Sequence, residues 1–93
     1  MKNDMKKKEA KEAMNELTMM LLYLSRFTEG EKYDEAKAYY AWKGFDFDTL
    51  NRLDEEEYID QGSYKRKSLY LTEKGKEYAR KLLEEYQIKD WLD

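Results

Sequence analysis

From Ala10 onward, apolar residues recur at Ala10, Ala13, Met14, Leu17, Met20, Leu21, Leu24 and Phe27. That spacing is the i, i+3, i+4, i+7 repeat of one helical face and predicts a first helix. Met19, Leu22 and Tyr23 add apolar surface to its other side, so its second half is expected to be enclosed nearly all round, as the central helix of the core. Thr28, Glu29 and Gly30 then interrupt the period with turn chemistry. Asp34 is placed to cap a short second helix through Trp42, with Gly44 where a closing glycine would sit. Asp46 caps a third helix in which Phe47, Leu50 and Leu53 share one side, and Tyr58 and Ile59 leave it as β-formers. Gly62 and Ser63 are turn residues and Ser68, Leu69, Tyr70 and Leu71 alternate, which predicts a two-stranded hairpin. Thr72 caps a long last helix with Tyr78, Ala79, Leu82, Leu83 and Tyr86 as its buried stripe, and Trp91 and Leu92 extend it.

The expected class is therefore α+β, with a charged extension over residues 1–13 and one domain over residues 14–93. Its expected core is Leu17, Leu21, Leu24, Leu50, Leu53, Ile59, Leu69, Leu71, Ala79, Leu82 and Leu83. Three helices, a hairpin and a closing helix are the order of the winged-helix variant of helix-turn-helix. The stretch TLNRLDEEEYID, residues 49–60, resembles a winged-helix reader helix running into the wing. SLYLTEKGKEYARKLL, residues 68–83, resembles the second wing strand and closing helix of small bacterial winged-helix regulators. Gly75 in its Leu-Thr-x-x-Gly element would let the first helical turn pack closely on the sheet. Residues 14–86, with ELTMMLLYL, AWKGFDFDTL and KSLYLTEKG, are also similar to an uncharacterised family of small bacterial proteins, which implies no known activity. Winged-helix domains usually carry glycine just before the apolar pair that opens the wing, and Glu57 stands there. A left-handed non-glycine residue costs about 1–2 kcal/mol, so the helix is expected to run on or to end differently.

Composition narrows the function classes. The 93 residues hold neither cysteine nor histidine, which removes disulfides, thiolate nucleophiles, the commonest general base and the commonest metal ligand. No enzymatic activity and no cofactor are expected. The longest apolar run, Met19 to Leu24, is far shorter than the roughly 20 residues a membrane span needs, so a soluble cytoplasmic protein without membrane contact is expected.

Charge is segregated although the total is only −3. Residues 45–60 hold seven carboxylates, Asp46, Asp48, Asp54, Glu55, Glu56, Glu57 and Asp60, against the single base Arg52. At about 7 Å in water each carboxylate repels a phosphate by roughly 0.6 kcal/mol before screening, so this helix opposes a DNA backbone. Residues 61–76 reverse the sign, with Lys65, Arg66, Lys67, Lys74 and Lys76 against Glu73. Lysines on a wing donate phosphate contacts or simply protect a sheet edge from pairing.

Six aromatics lie between Tyr33 and Phe47; Tyr40, Phe45 and Phe47 are expected inside, leaving Tyr39 and Trp42 as surface anchors. The carboxylates Asp46, Asp48 and Glu55 to Glu57 are expected to be a solvated face rather than a metal site. The favoured reading is a non-enzymatic protein-binding module. Its acidic third helix (Asp46, Asp48, Asp54, Glu55, Glu56, Glu57) and Tyr39 and Trp42 would engage a basic partner surface, as a small inhibitor or adaptor of a nucleic-acid-binding protein does, anti-CRISPR proteins being the analogy. The alternative is a winged-helix DNA-binding transcriptional regulator using Asn51, Arg52, Lys65, Arg66 and Lys67. In a third arrangement Tyr86, Ile88, Trp91 and Leu92 form a homodimer contact.

Overall fold

A computed structural model describes residues 7–28 and 38–91. Three helices and four short strands follow one another: α1 (Ala10–Leu24), β1 (Phe27–Thr28), β2 (Tyr39–Trp42), α2 (Phe47–Glu55), β3 (Ile59–Asp60), β4 (Ser68–Leu71) and α3 (Glu73–Glu85). The class is α+β. The strands form one antiparallel sheet in the order β1-β2-β4-β3. Its register sets Tyr39 and Ile59 opposite Leu71 and Ala41 opposite Leu69, and all five are buried beneath the helices. The other face carries Phe27, Tyr40 and Tyr70 in a cross-strand row.

Several expectations hold at the level of single atoms. Asp46 caps α2, its Oδ2 accepting from the Thr49 amide at 3.0 Å and the Thr49 hydroxyl at 2.9 Å. Thr72 caps α3, its Oγ1 accepting from the Gly75 amide at 2.9 Å. Leu50, Leu53, Ile59, Leu69, Leu71, Ala79, Leu82 and Leu83 are all in the core.

The last helix stops at Glu85, leaving Tyr86 and Trp91 exposed beyond it and Leu92 outside the described residues, and four further expectations fail. Tyr39–Trp42 is a strand, not the end of a helix, because its β-forming Tyr-Tyr-Ala-Trp run finds β1 on one side and β4 on the other; the rest of that expected helix, residues 34–37, lies outside the described residues. The hairpin is thereby widened to four strands. The aromatics also change places. Tyr39 points into the core at 8% exposure, since strand alternation puts it on the face of Ala41, while Tyr40 lies on the outer face. Phe47 overhangs the first turn of α2, one turn before Leu50, and is 71% exposed.

The third failure concerns α1. Leu17 and Leu21 are about half exposed and Met14 is 41% exposed, whereas Glu16, Thr18, Met19, Met20, Leu22 and Tyr23 are buried. The helix is not enclosed all round. It is apolar on both sides, so periodicity could not choose the face; α2 and α3 cover the side of Met19 and Leu22, and Leu24 is only partly buried. A carboxylate is tolerated there because Glu16 accepts from Lys8 Nζ at 3.0 Å and from the Tyr86 hydroxyl at 2.6 Å.

The fourth is the end of α2. Glu57 does adopt the left-handed conformation, at φ 68°. Its amide donates to the Asp54 carbonyl and that of Tyr58 to the Leu53 carbonyl, the paired bonds of a Schellman close. Gln87 at φ 59° ends α3 in the same way, with Gln87 and Ile88 donating to Glu84 and Leu83. The Thr72 hydroxyl donates toward the Glu57 and Tyr58 carbonyls at 2.6 and 3.0 Å, and Lys74 Nζ donates to the Glu56 carbonyl at 2.9 Å. A Cβ at Gly75 would overlap the Tyr58 carbonyl, so here glycine is required by contact.

Glu57→Gly should raise unfolding stability by about 1 kcal/mol, since glycine escapes the left-handed penalty. Gly75→Ala should lower it by about 3 kcal/mol, because the α3–Tyr58 contact must open. Urea denaturation of both variants checks the pair; a stable Gly75→Ala protein would show that this contact is not required.

Candidate interaction surfaces

Three surfaces differ in chemistry. The first is acidic. Asp48, Glu55, Glu56 and Glu57 are exposed along α2 and its end. Asp54 is partly buried and accepts from the Gln61 amide at 3.1 Å. The helix's one base, Arg52, is partly buried, donating from Nε to Asn15 at 3.1 Å and from its terminal nitrogen to the Thr49 hydroxyl at 3.1 Å. Asn51 is also engaged, accepting from Gln61 Nε2 at 3.0 Å. Both side chains expected to read bases are partly exposed and make hydrogen bonds within the protein.

Where α2 ends, an open depression of about 570 Å³ is lined by Asp54, Glu57, Ile59, Asp60, Thr72, Glu73 and Lys74. Four carboxylates from three parts of the chain line it; Glu73 is paired with Lys76 at 2.7 Å, and the lining's one ammonium, Lys74, donates to the Glu56 carbonyl. Asp60 and Glu73 join this surface only through folding. Asp60 belongs to the acidic run, but Glu73 sits beside the wing bases in sequence, and nothing local identifies it. Among the described residues no group of three carboxylates is arranged to hold a metal ion.

The second surface is basic and aromatic. Lys65, Arg66 and Lys67 are exposed in the β3–β4 connection, and Tyr64 beside them is 89% exposed. The Arg66 guanidinium lies 5.7 Å from the Tyr40 ring centre. Tyr40 meets Tyr70 edge-on at 5.8 Å, and Phe27 packs against Trp42 at 4.7 Å. Trp42 is 60% exposed, as expected of a surface ring, but belongs to this outer sheet face rather than to the acidic helix.

The third surface is apolar. Met14, Leu17 and Leu21 line the open side of α1. The chain beyond α3 runs back along this helix. Tyr86 bonds Glu16, Arg26 holds Asp90 through two bonds of 3.2 and 2.9 Å, and Trp91 Nε1 donates to the Leu24 carbonyl at 2.7 Å. Of the residues expected to contact a second copy, Tyr86, Ile88 and Trp91 are exposed and Leu92 lies outside the described residues.

The buried charges give this scaffold a pH dependence. Burial opposes ionisation of Glu16, but the Tyr86 hydroxyl and the Lys8 ammonium outweigh it and hold its carboxyl below the ordinary value. Burial likewise opposes ionisation of Asp90, while Arg26 and the Trp91 amide lower it overall. Burial, with the Glu16 charge, pushes the Tyr78 hydroxyl up to about 12.

Because both carboxyls are lowered on folding, the unfolded chain takes up protons first as pH falls. Their stabilisation should be complete above the ordinary values of 4.5 and 3.8 and lost as pH falls through the lowered folded values. Urea midpoints measured from pH 7 to pH 3 should drop in that window, and Glu16→Gln with Asp90→Asn should flatten the drop; an unaltered slope would place the acid sensitivity elsewhere.

A family model, DUF6429, described as a domain of unknown function, matches residues 10–89. No curated protein and no solved structure matches the chain.

Proposed function

The chain belongs to the DUF6429 family, whose description assigns no activity, and we propose that it is a non-enzymatic protein-binding module that takes a basic segment of a partner against the acidic end of α2. The observation that carries this reading is the meeting of Asp54, Glu57, Asp60 and Glu73 around one open depression, with Arg52 tied to Asn15 and Thr49 instead of to these carboxylates. Exposed Phe47, at the other end of α2, adds an aromatic anchor of the kind enriched at protein interfaces. Such a surface repels a phosphate backbone and attracts lysine and arginine side chains. An inhibitor or adaptor of a nucleic-acid-binding protein uses this chemistry, competing for the same basic surface.

A second reading, a DNA-binding regulator, is favoured by one observation: residues 61–67 expose Lys65, Arg66 and Lys67 with no acid among them. These cations would supply phosphate contacts without base readout.

Anisotropy of a labelled arginine- and lysine-rich peptide, titrated at about 50 and 200 mM salt, separates the two. Binding should weaken steeply with salt and disappear in Glu57→Lys/Asp60→Lys. That variant should keep the wild-type circular dichroism, since both side chains are exposed at the surface. Undiminished peptide binding by the variant would overturn the proposal. Duplex binding abolished by Lys65→Glu/Arg66→Glu/Lys67→Glu would establish the second reading instead.

A further inference from the structure

Helices cover one face of the sheet, and the other face has a chemistry distinct from that of the acidic depression. The open face of an antiparallel sheet ordinarily carries polar side chains at alternate positions. Here the outward positions of β1, β2 and β4 are Phe27, Tyr40, Trp42, Ser68 and Tyr70, so rings stand where polar groups are the rule. They form a continuous band. Trp42 packs on Phe27 at 4.7 Å between ring centres, Phe27 lies 6.2 Å from Tyr40 at an interplanar angle of 25°, and Tyr40 meets Tyr70 at 5.8 Å. Trp42 is 60% exposed, and Tyr64, in the β3–β4 connection, is 89% exposed. A ring that buries so little of itself adds little to the fold.

Charge selects the occupant. The Arg66 guanidinium stands 5.7 Å from the centre of the Tyr40 ring and donates to the Ser68 hydroxyl at 3.5 Å. Lys65 and Lys67 are exposed on either side of it, and Lys43, directly after β2, reaches the Ser63 carbonyl at 3.2 Å. Residues 39–45 and 61–68 thus bring four cations to the rings and contain no carboxylate. The acid on this face, Asp60, lies opposite Tyr70 on β3, and its Oδ1 accepts from the Gly62 amide at 2.9 Å. Open π faces bordered by cations match a ligand that has flat faces of its own and a chain of anions. Unpaired nucleotides have both. A duplex supplies the anions but keeps its base faces inside the stack, which leaves the rings unused.

We propose that the outer face of the sheet binds a short single-stranded nucleic acid, its bases stacking on Trp42, Tyr64 and the Tyr40–Tyr70 row and its phosphates meeting Lys43, Lys65, Arg66 and Lys67. About two or three bases fit such a platform. Stacking accepts every base, so sequence preference is weak, and DNA and RNA share the chemistry. The acidic depression meets this face at Asp60, where its carboxylates repel the backbone and bound the path of the strand on that side. The proposal is independent of any partner in that depression.

The full chain is titrated, by anisotropy, into labelled single strands of about ten thymidine or uridine nucleotides at about 50 and 200 mM salt. With three or four phosphates neutralised, affinity should fall about 20- to 50-fold between the two salt concentrations. Trp42→Ala/Tyr64→Ala should weaken binding at least about 10-fold with wild-type circular dichroism, since both rings are largely exposed, and Trp42→Phe/Tyr64→Phe should restore it. Trp91 is the other tryptophan and is 80% exposed, so Trp91→Phe leaves Trp42 as the sole indole, and its emission should be quenched as the strand binds. Binding of either strand with these properties supports the proposal, and the ratio between them reads whether the 2′-hydroxyl is recognised. Absence of binding at about 50 mM salt, or binding unchanged in Trp42→Ala/Tyr64→Ala, would overturn it. So would a duplex, or a polyglutamate of equal charge, that binds as tightly as the single strands.

Discussion

The carbonyl of Tyr58 is the point on which the fold turns. It lies just beyond α2, at the entry to β3, where a left-handed Glu57 has reversed the chain. The Thr72 amide and hydroxyl both donate to it, and Gly75 packs directly over it. One group thus fixes the end of one helix, the start of another and the edge strand between them. The Thr72 hydroxyl has a double duty, donating to the carbonyls at the end of α2 while accepting from the Gly75 amide at the start of α3. The partial charges left at the two helix ends are opposite in sign, so bringing them together satisfies donors and acceptors that would otherwise need separate caps. The acidic depression is the outward side of the same joint, which explains why Glu57 and Glu73, far apart in sequence, line it together.

A second set of contacts decides which side of α1 remains open. Glu16 receives Lys8 and Tyr86, and the buried Arg26–Asp90 pair ties the end of the chain to the segment after α1. The Arg26 guanidinium also lies 4.0 Å from the Tyr23 ring centre, and Lys76 lies 4.9 Å from that of Tyr39. These charged groups are enclosed by aromatic faces and carboxylates, which replace part of the hydration they lose. They anchor α3 and the chain beyond it to the Glu16 side of α1. The Leu17 and Leu21 side is left to solvent or to another molecule.

The molecule thereby separates three kinds of surface that the sequence interleaves. Carboxylates gather where α2 ends, cations gather in the β3–β4 connection beside the outer aromatic face, and α1 shows an uncharged face. Arg52, the one base on α2, is bonded to Asn15 and Thr49 and not to the carboxylates of the first surface. The two charged surfaces keep the same sign they carry as sequence segments, so electrostatics was the part of the interaction chemistry most open to sequence reasoning.

Local rules sufficed for part of this fold. Asp46 and Thr72 cap helices because a short polar side chain before an apolar run satisfies free amides wherever it occurs, and Leu50, Leu53, Leu82 and Leu83 face inward because each helix has only one apolar side. Tertiary structure decided whatever local rules leave degenerate. An α1 with apolar residues on two sides has no preferred face until α2 and α3 choose one, so Leu17 and Leu21 end outside and Glu16 inside. Tyr39–Trp42 becomes a strand because β1 and β4 supply hydrogen-bond partners on both edges, which no window of sequence around it contains. Glu57 accepts left-handed strain because Thr72, Lys74 and Gly75, fifteen to eighteen residues away, reward the turn it makes.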